Sequence, residues 1–139
     1  MNYYLSIFKN SKAGTVTRVG DAGPGPKGSV LVATFELEGQ QFMALNGGPQ
    51  YHFTPAISLF VNCQDQQEVD ELWDKLCEGG KPVQCGWLED KFGLSWQIVP
   101  IEFMKLMQDP DPEKSKKVMQ AMMQMQKLDL AKLREAYNS

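Results

Sequence analysis

The sequence is short of the residues on which much protein chemistry rests. Its 139 residues include one histidine, His52, and three cysteines, Cys63, Cys77 and Cys85. A single imidazole leaves one candidate for any histidine-based dyad, and a metal site would have to rest mainly on carboxylates. The cysteines are odd in number and form no C-x-x-C pair, which argues against a disulfide framework and a structural zinc site. Excess positive charge is also absent, since 14 Lys and Arg stand against 17 Asp and Glu, a net charge of −3. Without clustered cations to neutralise phosphates, no nucleic-acid partner is expected. No apolar run nears the roughly 20 residues that span a bilayer, and no charged start leads into an apolar stretch and a cleavage site. The expectation is a cytoplasmic protein without a membrane partner.

What is present is ordinary globular patterning, with 42% hydrophobic and 22% charged residues. "YYLSIFKNSK" groups Tyr4, Leu5, Ile7 and Phe8 helically and stops at Asn10-Ser11. "GTVTRVG" reads as a strand, "DAGPGPKGS" as a loop, and "VLVATFELEGQQFMALNGG" as two strands joined near Glu38 to Gln40. "PAISLFVNC" is short and apolar enough for a buried strand. A helix follows, with Asp65 as N-cap, Glu68 as its capping-box partner and a buried stripe of Val69, Leu72, Trp73 and Leu76 before Gly79-Gly80. "KPVQCGWLE" and "GLSWQIVP" form a hairpin. The order of elements suggests a duplicated β-α-β-β-β unit whose first strand is missing from this chain. Asp111-Pro112 starts a tail helix that runs to Gln126 with Val118, Met119, Met122, Met123 and Met125 on an apolar face, and Asp129 caps a last helix.

Several of these strings resemble one family closely. "YYLSIFKNSK", "FELEGQQFMALNGGP", "ISLFVNC", "GGKPVQCGWLEDKFGLSWQIVP" and "DPDPEKSKKVMQAMMQMQKLDLAKL" are similar to the PhnB-like family. That family is also labelled 3-demethylubiquinone-9 3-methyltransferase, and it sits in the vicinal oxygen chelate superfamily beside glyoxalase I, extradiol dioxygenases and bleomycin- and fosfomycin-resistance proteins. The resemblance spans essentially the whole chain. It implies an α+β glyoxalase-like fold of paired β-α-β-β-β modules with a curved mixed sheet around a ligand cavity, and commonly a homodimer. Residues 1–103 would form that domain, as modules 1–50 and 51–103, with residues 104–139 a C-terminal helical hairpin. Family members begin with a strand and a helix start ahead of "YYLSIFKNSK".

The superfamily's enzymes hold a divalent ion with His and Glu, and the resemblance locates the corresponding positions here. In "DKFGLSWQ" the acid position is Gln97, in "AISLFV" the histidine position is Ala56, and "MALN" ends at Asn46. Neutral side chains bring no charge to balance a dication, so neither a catalytic metal nor another cofactor is expected. Gln97 is suited instead to orienting a small organic ligand, with Asn46, Ser58 and Ser95 as polar neighbours. Cys85 beside Gly86 is a candidate nucleophile, against the commoner reading of a buried, inert thiol. Trp87 and Trp96 read as core or cavity wall, His52 as a loop residue, and the methionines as core. "GDAGPGPKGS" lacks phosphate-loop spacing, and its prolines remove backbone donors. The methyltransferase label finds no doubly wound sheet with a Gly-rich turn to support it. The leading expectation is a non-metal small-molecule-binding protein. Its rivals are a metal-assisted lyase, isomerase or transferase, and a non-catalytic dimeric interaction module.

Overall fold

The computed structural model describes residues 1–139, which fall into two compact units, Met1–His52 and Phe53–Ser139. The first unit runs α1 (Asn2–Ile7), β1 (Ser11–Arg18), β2 (Val30–Leu37) and β3 (Gln40–Leu45). Its strands form one antiparallel sheet in the order β1-β2-β3. β2 alternates as a half-covered strand should, burying Ala33, Phe35 and Leu37 on one face. The Tyr4 ring of α1 stacks on Phe35 at 6.3 Å, and Phe35 stacks on Phe42 of β3 at 5.6 Å. Glu38 and Gly39 join β2 to β3 with φ of 49° and 81°, the paired positive angles of a two-residue type I′ hairpin. The Gly/Pro loop is closed where Val19 N donates to Ser29 O and Gly28 N donates to Val19 O, both at 2.8 Å.

The second unit shows the β-α-β-β-β order in full: β4 (Ser58–Cys63), α2 (Gln66–Cys77), β5 (Lys81–Pro82), β6 (Trp87–Glu89) and β7 (Ser95–Pro100). The sheet runs β4-β7-β6-β5, with β4 parallel to β7 and the other pairs antiparallel. The fold is therefore α+β and glyoxalase-like, and the first unit repeats the same order from its helix onward. Only the second sheet is mixed, because the β4–β7 pair alone is parallel.

α2 forms where its caps and stripe require. Asp65 Oδ1 accepts from Glu68 N at 2.9 Å, and Val69, Leu72, Trp73 and Leu76 are all buried. Glu68 reaches back one residue beyond the expected partner, accepting from Gln64 N at 2.6 Å. The tail folds as three helices, α3 (Ile101–Met107), α4 (Pro112–Met122) and α5 (Leu130–Asn138). Val118, Leu128, Leu130 and Leu133 pack with Val99 and Phe103 into one apolar cluster.

Two sequence expectations for the tail need correction. α4 stops at Met122 rather than Gln126, because the carbonyls of Met125 and Gln126 accept instead from the N–H groups of Cys85 (2.8 Å) and Gly86 (2.7 Å). The methionine face is also only partly core: Met122 and Met125 pack against the cluster, while Met119 and Met123 are exposed. No helix is long and apolar enough to cross a membrane.

Candidate functional site

Residues directly opposite one another in a ladder share a face of the sheet. β4 pairs with β7 so that Ser58 meets Ser95 and Phe60 meets Gln97, and β6 pairs with β7 so that Trp87 meets Gln97. Ser58, Phe60, Trp87, Ser95 and Gln97 therefore occupy one face. The intervening Leu88, Trp96 and Ile98 point to the other, where all three are buried with the stripe of α2.

Gln97 is the centre of the first face. Its Nε2 donates to Ser58 Oγ at 2.9 Å, a side-chain link across the parallel β4–β7 pair. On either side of it stand Trp87, half-buried, and Phe60, 46% exposed. An amide donates two hydrogens and accepts through its oxygen, so the bond to Ser58 uses one donor only. The serine hydroxyl, accepting from Gln97, keeps its own hydrogen to donate. Together they offer hydrogen bonds of both senses between two aromatic side chains, with no formal charge.

The geometry of that face depends on a residue that sequence reasoning saw only as part of a motif. Asp90 is 2% exposed and sits at the β6–β7 turn. Its Oδ1 accepts from Phe92 N (2.8 Å) and Leu94 N (3.1 Å), and its Oδ2 accepts from Trp96 Nε1 (2.9 Å). The carboxyl group thus fixes the turn and the Trp96 indole at once, which sets which face Gln97 occupies. An Asp that opens a tight turn ending in Gly93 is the sequence signal for such a staple.

The other expected residues lie elsewhere. Cys85 precedes β6 at a corner where it and Gly86 take φ of 62° and 83°, and it stands outside the Trp87–Gln97 ladder. Burial, with Glu68 and Asp65 nearby, pushes the Cys63 thiol up to about 12, and burial raises that of Cys77. Asn46 belongs to the first unit, where its Nδ2 donates to Val30 O at 2.8 Å and its N donates to Leu31 O, closing the open end of β2–β3. His52 is exposed.

The donor set does not fit a divalent ion. No group of three or more His, Cys, Asp or Glu side chains is placed to hold one. At the positions where the resemblance leads one to expect metal ligands stand Ala56, Asn46 and Gln97, and the last two engage protein partners through their amide hydrogens. No reaction step is derived through a metal.

Comparison with known proteins bears on fold and family. The profile of the 3-demethylubiquinone-9 3-methyltransferase family matches residues 1–99. A Bacillus cereus PhnB protein bearing the same label is 38% identical over 72% of this chain and 87% of its own, with a TM-score of 0.66. A Pseudomonas aeruginosa protein at 20% identity covers 66% of this chain and 79% of its own with a TM-score of 0.54, a likeness of fold. No curated protein matches the chain.

Proposed function

Because the chain belongs to the 3-demethylubiquinone-9 3-methyltransferase family, we propose that it binds a small, uncharged organic molecule on the Gln97 face of its second sheet, without the superfamily's catalytic metal. The observation that carries this reading is the Gln97–Ser58 bond at 2.9 Å between Phe60 and Trp87. A ligand with a carbonyl or hydroxyl group would meet the free amide hydrogen and carbonyl oxygen of Gln97 and the serine hydroxyl. Its apolar body would lie against the two aromatics, in the usual mixture of apolar walls and few polar anchors. An uncharged set of anchors favours a neutral ligand, since a fixed charge without a counter-charge is costly to desolvate. Methyl transfer gains no support from these residues, because neither sheet has the parallel, doubly wound order of a common methyl-donor domain. The reading includes a cytoplasmic location and a homodimer, which light scattering at several concentrations checks.

The test is a thermal-shift screen of neutral quinones, aromatic antibiotics and small carbonyl metabolites, since a ligand of the native state raises its melting temperature. Gln97→Leu and Ser58→Ala are each expected to weaken a hit about tenfold, the value of one net hydrogen bond. A hit whose affinity ignores both substitutions would place the site elsewhere. Stoichiometric Zn, Ni, Fe or Mn in protein purified without chelator would favour a metal-assisted enzyme instead.

A further inference from the structure

The first unit shows how this chain stacks rings in a row. Tyr4, Phe35 and Phe42 form a near-parallel stack, with centroids 6.3 and 5.6 Å apart and planes inclined by 15° and 17°. Phe35 and Phe42 stand directly opposite one another on the neighbouring strands β2 and β3. One step across a sheet therefore brings two rings of this molecule into stacking contact at 5.6 Å. The middle ring, Phe35, is buried between its two neighbours.

The second unit has the outer members of such a row without the middle ring. Phe60 is opposite Gln97 across β4–β7, and Gln97 is opposite Trp87 across β7–β6. Phe60, Gln97 and Trp87 thus form one line across three strands, with an aromatic at each end. Two interstrand steps set the backbones of Phe60 and Trp87 about 9.5 Å apart. That is beyond the roughly 4.5–7 Å at which ring centroids attract, and neither ring pairs with another ring of the chain. Half the separation, about 4.8 Å, falls inside that range, so a single flat ring placed midway would stack on both.

The midway position is open to a ligand and polar at its floor. Phe60 is 46% exposed and Trp87 half-buried, so each ring keeps surface to give. Between them Gln97 presents a short amide rather than a ring, held by its bond to Ser58 Oγ at 2.9 Å. Its carbonyl oxygen and second amide hydrogen lie where the edge of an inserted ring would arrive.

We propose that the ligand of the Gln97 face carries a flat conjugated ring, inserted edge-on between Phe60 and Trp87, with a hydroxyl or carbonyl group on the edge that meets Gln97. This rests on the small-molecule reading above and narrows it from neutral organic molecules to planar aromatic ones. A puckered, saturated molecule of the same polarity can reach Gln97, but it has no π-face to offer either ring.

The test compares β-naphthol with its saturated counterpart, decahydro-β-naphthol, which keeps the carbon skeleton and the hydroxyl group. Each stacked contact is worth about 2- to 12-fold in affinity beyond the area it covers, so the flat compound is expected to bind at least about fivefold more tightly. Phe60→Leu and Trp87→Leu keep apolar cover but remove a ring. Each should weaken β-naphthol by about 2- to 12-fold and leave the saturated compound unchanged. In the unsubstituted protein, which makes the result independent of how the variants fold, nuclear Overhauser contacts should join bound β-naphthol to both the Phe60 and the Trp87 rings. Contacts to one ring only would overturn the insertion. Equal affinity for the two compounds, with both weakened by Gln97→Leu, would also overturn it and leave the small-molecule reading standing. Affinities indifferent to Gln97→Leu, or no binding by either compound, would overturn that reading and the inserted ring with it.

Discussion

The two sheets follow one order from the helix onward, yet they are held by different means. The second is closed by a four-residue apolar stripe, a buried carboxyl group and a helical tail, and Leu76, Leu88, Ile98, Leu128 and Leu133 are completely shielded. The first relies on a six-residue helix and a file of stacked rings, and its core residues Ile7, Phe8, Val19, Ala33, Phe35 and Leu37 each keep 4–7% exposure. The same strand order thus yields tight packing only where the sheet has a full-length helix on one side and a neighbour for every inner strand. Burial depth separates the two units together with the fourth, parallel strand that only the second sheet has.

The largest expected effects test that contrast directly. All three tryptophans, Trp73, Trp87 and Trp96, lie in the second unit, so indole fluorescence reports on it alone. Leu76→Ala is expected to cost about 4 kcal/mol in a urea titration followed by that signal, since a completely shielded leucine leaves a cavity. Phe35→Ala should cost the first unit about 3 kcal/mol, read from amide exchange in β2. If Phe35→Ala moves the tryptophan transition as far as Leu76→Ala does, the two units unfold as one cooperative body and the comparison breaks.

Asp90→Ala comes next, at about 2–3 kcal/mol in the same fluorescence titration. It leaves two backbone N–H groups and the Trp96 indole N–H without their acceptor in a buried turn. A ligand found for the Gln97 face should also bind Asp90→Ala more weakly, because the turn sets that face.

This residue marks the boundary of what was legible. The α2 stripe and caps, the strand runs and the Asp111 and Asp129 helix starts were readable because each is a local pattern, fixed by neighbours within one or two turns. The three roles of Asp90 were not, because its identity as a turn residue says nothing about the distant indole. Gln66 is a stronger case: its amide donates to Leu128 O and accepts from Leu130 N, across 62 and 64 residues of sequence. Such clamps follow from tertiary placement, and so does the early end of α4. In the candidate site, the alternation of side chains along a strand is enough to put Ser95 and Gln97 on one face. It had no means of foretelling the bond to Ser58, which depends on β4 lying parallel to β7 in one register.

Acid should have a smaller effect, acting on the second unit's tail. The Arg134 guanidinium, hydrogen-bonded to Glu102, holds that carboxyl below its ordinary range, and Lys127 does the same for Asp70. Groups lowered in the folded state contribute stability that is complete above the ordinary carboxylate value near about pH 4 and is lost as pH falls through the lowered values. Both pairs are largely in water, so the contribution is modest and shrinks with salt. The urea midpoint of the second unit is expected to fall as the pH drops below about 4, with Glu102→Gln showing less of that fall. An unchanged pH dependence in Glu102→Gln would mean that the Arg134 pair does not hold the tail.

The smallest effect returns to the comparison, because each unit contains one non-glycine residue at positive φ: Glu38 at 49° and Cys85 at 62°. Both precede a glycine that is also at positive φ. Glutamate in that region costs about 1 kcal/mol relative to residues that tolerate it, and asparagine is the residue that type I′ turns prefer. Glu38→Asn is expected to stabilise the first unit by about 0.5 kcal/mol, the gain being reduced by loss of the exposed 3.3 Å bond from Asn10 N. Cys85→Asn should give no such gain. Its corner is already held by the Met125 and Gln126 carbonyls, and asparagine there would bring a polar side chain to a half-buried position. Equal gains at the two sites, measured by urea titration of each unit, would mean that the tail does not stiffen the second corner. A gain at Glu38 alone would show that strain is relieved by the turn residue in one unit and borne by tertiary hydrogen bonds in the other.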